Sequence, residues 1–111
     1  MKRIPPKAEL RATQHAIRAL DHPIRQRILG LLLIEGNKVS YSDIVERLTI
    51  SDTSAIAHHL KVLVGAALVG NTLERVGGRM GSLYFITELG EEWLSRVGFA
   101  SPERARILLS A

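Results

Sequence analysis

The stretch that decides the fold is Ser40-Tyr41-Ser42-Asp43-Ile44-Val45-Glu46-Arg47-Leu48-Thr49-Ile50-Ser51-Asp52-Thr53-Ser54-Ala55-Ile56-Ala57-His58-His59-Leu60-Lys61-Val62-Leu63-Val64. Ser40, followed three residues later by Asp43, reads as a capping box with Asp in place of the usual Glu or Gln. It opens a short helix through Leu48 with Ile44, Val45 and Leu48 inward. Thr49-Ile50-Ser51-Asp52 reads as a brief turn. Apolar residues then recur at Ile56, Leu60, Leu63 and Val64, the spacing of a helix over residues 52–64 that buries one stripe. Two short helices joined so tightly, the second the longer, form a helix-turn-helix.

The side of the second helix away from its apolar stripe comprises Ser54, Ala57, His58 and Lys61, which are small or hydrogen-bonding. A helix entering the major groove of duplex DNA needs such a face. Ser51 and Thr53 stand at the helix start, where hydroxyls and free N–H groups meet phosphate. Any amphipathic surface helix also shows a polar face; the preceding short helix and the hairpin that follows favour the groove. Asp52 caps this terminus, and its carboxylate would repel a phosphate, so it is expected to be structural. His59 is expected at the edge of the core with one nitrogen satisfied. His58 is expected outside, free to bond a base or phosphate. Adjacent on a regular helix, the two point about 100° apart and cannot chelate one metal.

Downstream, the period changes. Residues 68–76 and 82–87 are short β-prone runs, with Gly77-Gly78-Arg79-Met80-Gly81 between them read as a five-residue hairpin tip. Arg79 in that tip is a candidate for a phosphate or the minor groove, against a solvated turn that happens to hold an Arg. Arg75 on the outgoing strand is a second candidate. Thr87 caps a helix over 88–97, with Leu89, Trp93 and Val97 on one stripe, and Pro102 opens a last helix to Leu109 with Ile107, Leu108 and Leu109 apolar.

Upstream, residues 8–20 read as a helix with Leu10, Ala16, Ile17 and Leu20 on one stripe. Asp21-His22-Pro23 restarts the chain, with Asp21 or His22 as cap and Pro23 at the first helical position. The next helix runs to about Glu35, burying Ile24, Ile28, Leu31 and Leu32, and stops at Gly36-Asn37. The fold class is therefore mainly α with a small β-hairpin wing, in the order α1-α2-α3-α4-β-β-α5-α6. A basic tail over residues 1–7 precedes a single domain over 8–111, whose terminal helices, 8–20 and 88–109, are assigned to dimerisation.

Composition bounds the rest. At 111 residues, 46% hydrophobic and 5% aromatic, the chain fits one domain with an aliphatic core. No apolar run reaches the roughly 18 residues of a membrane span, and Met1–Lys7 leads into no secretory h-region; a cytoplasmic protein is expected. The absence of cysteine excludes disulfides and thiolate chemistry. Net charge is +4, but residues 1–27 carry seven basic side chains against two acidic, a net +5, whereas residues 28–70 carry three against four. The front-loaded charge favours a polyanionic partner. Lys2, Arg3 and Lys7 form either an arm on the DNA backbone or a solvated tail. Arg25 and Arg27 either face that backbone or pair structurally. His15 and His22 leave a shared metal as an alternative to surface histidines. No glycine-rich phosphate loop, nucleophile elbow or paired-carboxylate motif occurs, so no enzyme, cofactor or metal site is expected.

Three segments resemble the ArsR-like winged-helix repressors: Leu20-Asp21-His22-Pro23-Ile24-Arg25-Gln26-Arg27-Ile28-Leu29, then Ile56–Leu63 with Ala66-Ala67-Leu68-Val69, then Tyr84-Phe85-Ile86-Thr87. The resemblance implies a dimeric repressor of duplex DNA. Ala57 stands where the family often has Ser, and Ala67 where it often has Gly. The family's metal-sensing cysteines and Asp-x-His pattern are absent, so metal sensing is not carried over. A surplus of apolar side chains on the terminal helices (Leu10, Ile17, Leu20, Leu89, Trp93, Ile107, Leu108) implies a two-fold homodimer presenting two reading helices about one DNA turn apart; packing of those helices on their own core is the alternative. The near-neutral charge of residues 28–70 keeps a second function open, a winged helix serving as a protein–protein interaction module.

Overall fold

The structure is a computed structural model that describes residues 6–50 and 52–110. Its elements run α1 (Lys7–Leu20), α2 (Pro23–Glu35), β1 (Val39–Ser40), α3 (Tyr41–Leu48), α4 (Thr53–Gly65), β2 (Val69–Val76), β3 (Arg79–Ile86), α5 (Glu88–Arg96) and α6 (Pro102–Ser110). Helices α2, α3 and α5 start where polar side chains close them. His22 Nδ1 accepts from Ile24 N–H with Pro23 at the first helical position, Ser40 Oγ accepts from Asp43 N–H, and Thr87 Oγ1 accepts from Gly90 N–H. Lys7, assigned to the tail by sequence, is the first residue of α1.

The strands form one antiparallel sheet in the order β1-β3-β2. β1 is missing from the sequence reading because two residues carry no period; it joins through Val39 opposite Tyr84 and Ser40 opposite Leu83. The hairpin is tighter than expected. Val76 pairs with Arg79, so the turn is Gly77-Gly78 alone, at φ of 58° and 84°. Both positions need positive φ in a two-residue hairpin turn twisted like its strands, which glycine supplies without steric cost. Arg79 therefore opens β3 and is no tip residue.

α4 ends in a Schellman motif. Leu68 N–H reaches Leu63 O at 3.1 Å and Ala67 N–H reaches Val64 O at 3.0 Å, with Ala67 at a φ of 61° and Leu63 and Leu68 both fully buried. This is the position where the resembled family often has glycine. Here alanine accepts the left-handed strain because the motif closes two carbonyls and one apolar contact.

The core joins Ile28, Leu29, Leu31 and Leu32 of α2 to Ile44 and Leu48 of α3, Ile56, Leu60 and Leu63 of α4, and Leu68, Val69 and Leu94. Val64, placed inward by its spacing, is exposed. In α5 the stripe is rotated from expectation: Gly90 and Leu94 are buried, and Leu89 and Val97 are exposed. Gly90 decides this phase, since a Cβ there would lie 2.2 Å from Leu68 O; the helix rests its bare backbone on the sheet. The last helix differs more. Leu108, expected on the dimer face, is 8% exposed and belongs to the core, whereas Ile107 is 58% exposed. α6 lies against α2 at Gly30, where a Cβ would meet Ala105 O at 2.7 Å and Leu108 Cβ at 3.2 Å. That close approach turns Ala105 and Leu108 inward.

Candidate nucleic-acid interface

The face expected to read DNA lies outside the molecule. Thr53, Ser54, Ala57, His58 and Lys61 are all exposed along α4, above the buried Ile56, His59, Leu60 and Leu63. Ser51 lies outside the described residues. Tyr41 steadies the start of α4 by donating its hydroxyl to Thr53 O at 3.1 Å. The turn from α3 is made by Thr49 in the left-handed region, φ 49°, with its hydroxyl donating to Leu48 O at 2.8 Å.

Asp52 caps α4 as expected. Its Oδ1 accepts from Ser54 N–H at 3.2 Å and from the Ser54 hydroxyl at 2.6 Å. The hydroxyl bond, ahead of the backbone N–H groups, holds the Asp52 carboxyl below the usual carboxylate range. A fixed negative charge thus occupies the terminus, and the Ser54 hydroxyl spends its hydrogen on the cap. Its oxygen remains an acceptor. The side-chain donors of this face without a hydrogen bond among the described residues are the Thr53 hydroxyl and, further along, His58 and Lys61.

On the wing, Arg75 and Arg79 are both exposed and form no ion pair among the described residues. They do not act together. Arg75 sits opposite Met80, and Arg79 opposite Val76, so the pleat sends them to opposite faces of the ribbon. A nucleic acid lying along one face meets one of the two.

The cations at the front of α2 have another occupation. Arg25 donates through Nε to Ala19 O at 2.8 Å and through Nη2 to Arg18 O at 3.0 Å. Gln26 adds a bond to Leu20 O at 2.8 Å. Arg27 donates to Leu48 O at 2.8 Å and to Leu109 O at 3.2 Å. Consecutive side chains thus close the carbonyl ends of α1, α3 and α6, a use of charge that complements the negative end of each helix dipole. Sequence left Arg25 and Arg27 open between DNA and structure; the charge at the front of the chain is partly consumed inside it. The signal was present, as three long donors directly after a helix cap, but the acceptors come from elements up to 82 residues away. Lys7 is exposed at the start of α1, and Lys2 and Arg3 lie outside the described residues.

Arg25 also reaches α4. Its Nη1 lies 3.1 Å from His59 Nδ1. A guanidinium only donates, so this nitrogen accepts and the ring carries its proton on Nε2. His59 is 7% exposed, and its ring packs against His22 with centroids 4.1 Å apart. Burial, then the neighbouring His22, Arg25 and His58, holds its pKa below the ordinary imidazole value. His22 itself is occupied in capping α2, and no group of three or more His, Cys, Asp or Glu residues placed to hold a metal occurs among the described residues.

The expected dimer residues divide. Leu10, Ile17, Leu89 and Ile107 are exposed, Leu20 and Trp93 are half-buried, and Leu108 is core. An open apolar groove of about 480 Å³ separates α1 from α5, lined by Ile17, Leu20, Trp93, Val97 and Phe99 among others.

A helix-turn-helix domain family matches residues 20–69, from the end of α1 to the start of the hairpin. Two solved structures are similar over most of the chain. One is a protein with a GntR superfamily winged-helix-turn-helix domain from Halomicrobium mukohataei, 19% identical, with a TM-score of 0.73, covering 99% of this chain and 78% of that one. The other is HlyU from Vibrio cholerae N16961, 22% identical, with a TM-score of 0.63, covering 84% of this chain and 98% of that one. No curated protein matches the chain. The fold and the exposed α4 define a winged helix-turn-helix protein. Helices α3 and α4 are its helix-turn-helix and β2–β3 its wing.

Proposed function

We propose that this chain is a sequence-specific double-stranded DNA-binding transcription regulator, a cytoplasmic homodimeric repressor of the ArsR-like type without metal sensing. The observation that carries the reading is the outward face of α4, where Thr53, Ser54, Ala57, His58 and Lys61 stand clear of the molecule. α4 enters the major groove; His58 and Lys61 supply donors to base edges or phosphate, and Ala57 permits close approach. The wing contributes one arginine, Arg75 or Arg79, to the adjacent backbone or minor groove. Its action is binding, with no chemistry and no cofactor. The single winged domain dimerises through the apolar faces that α1 and α5 leave open, using Leu10, Ile17, Leu20, Leu89 and Trp93, with Ile107 at the margin.

Selection from a random duplex library, followed by binding titrations across salt, tests the reading. The expected result is an enriched inverted-repeat site whose affinity falls steeply between 50 and 200 mM salt, by on the order of tenfold or more. Lys61→Ala should weaken binding about tenfold and reduce the salt slope by about one. No shift of any duplex at low salt would defeat it.

A second reading has one observation in its favour. The wing exposes Leu73 and Met80 on one face, an apolar surface suited to a protein partner, and Arg25 and Arg27 are spent within the fold. Under that reading the chain is a protein–protein interaction module, and loss of salt dependence with intact folding would select it.

A further inference from the structure

The reading helix is fixed to the body of the protein by a polar contact that only a neutral histidine can make. His59 lies on the inner side of α4, directly after the outward His58 and two residues before Lys61. Its Nδ1 accepts from Arg25, the same side chain that closes the end of α1 through Arg18 O and Ala19 O. Its ring lies on that of His22, whose own Nδ1 accepts from Ile24 N–H at the start of α2. One cluster therefore joins α1, α2 and α4, and both imidazoles act in it as acceptors. A proton on either Nδ1 abolishes that bond, because the lone pair is gone.

We propose that Arg25, His59 and His22 form a positioning cluster that holds the reading helix only while the His59 ring is neutral, so that mild acid releases α4 and weakens DNA binding. The inference rests on the reading of α4 as the DNA-binding helix. The groups facing His59 are His22 from the α1–α2 corner, Arg25 from α2 and His58 from α4 itself, all of them cationic or able to become so. Asp21 neighbours His22 in sequence, but neither imidazole is ion-paired with a carboxylate among the described residues. Nothing in the cluster compensates a new positive charge. The direction of the His59 pKa agrees: it lies below the unfolded value, so the contribution to stability is complete above about pH 6.5 and is lost as the pH falls through the interval beneath it.

The sign of the effect separates this device from ordinary histidine contacts. A cation gained on the outward face of α4 would strengthen attachment to DNA in acid; one gained on the buried His59 weakens it. The test is affinity for a labelled duplex carrying the selected site, measured from pH 7.5 to pH 5.5 at constant ionic strength. Beside it run thermal unfolding over the same range and the nitrogen chemical shifts of the imidazoles. The parent is expected to lose about fivefold or more in affinity in acid, and to melt at lower temperature there. His59 should hold its proton on Nε2 and resist protonation below the range of a free imidazole. His59→Asn keeps an acceptor toward Arg25 without titrating, and should flatten both profiles. His22→Asn, a good cap for α2, removes the ring packed against His59 and should flatten them in part. A parent that binds DNA equally at both pH values, or a His59 that carries its proton on Nδ1 at pH 7.5, overturns the inference while leaving the DNA reading intact. A parent that binds no duplex at any pH overturns that reading instead, and removes the DNA-binding half of the inference with it. The chemical shifts need no variant, so a poorly folding substitution leaves the decision in place.

Discussion

Helices α1 and α6 carry comparable apolar residues at the two ends of the chain, yet the fold treats them in opposite ways. α6 presses on α2 along its length, with Ala105 and Leu108 buried and Gly30 allowing backbone to approach backbone. α1 buries only Ala16 and Ala19 and is held at its carbonyl end by Arg25 and Gln26, leaving Ile17 53% exposed. An apolar helix at a terminus is therefore no sign in itself of a free surface. What decides is whether the body offers a place without a side chain. Of the faces proposed for the dimer, this contrast favours α1 with α5 over α6.

The contrast breaks most severely at Gly30. Gly30→Leu would drive a side chain into Ala105 O, and overpacking at a backbone contact should cost about 3 kcal/mol or more, read as a large fall in melting temperature or as loss of the α6 contact in hydrogen exchange. A smaller loss is expected at Arg27, whose guanidinium closes the ends of α3 and α6 together. Arg27→Met retains the packing stem and frees both carbonyls, for about 2 kcal/mol in a denaturant titration; a change below about 0.5 kcal/mol would mean that solvent replaces both bonds. Smallest of the three in stability is Ile17→Glu, expected within about 0.5 kcal/mol for an exposed position. Its effect appears in sedimentation, where the proposed dimer should become a monomer. An unchanged mass would move the interface away from α1.

Much of the site was legible because it depends on local chemistry. The cap at Ser40, the turn after Leu48 and the four-residue recurrence of Ile56 and Leu60 are set by neighbours in sequence, and together they orient Ala57, His58 and Lys61 outward. The wing was harder to read. Five residues from Gly77 to Gly81 look like one loose loop, but two glycines suffice to turn the ribbon; β3 begins three positions earlier, at Arg79, and the resulting register places Arg75 and Arg79 on different faces. β1 left no pattern at all, being two residues whose strand character exists only beside β3.

Near-neighbour effects, acting through caps, turn glycines and the spacing of apolar residues, were enough to define the helices, the hairpin and the outward face of α4. Tertiary structure alone decided that α6 is core, that α5 rests on Gly90, and that Arg25 and Arg27 serve helix ends. The reason is one of range. Periodicity reports which side of a helix avoids water, but not what covers that side, and a long cation finds its acceptor only after distant carbonyls have been brought together.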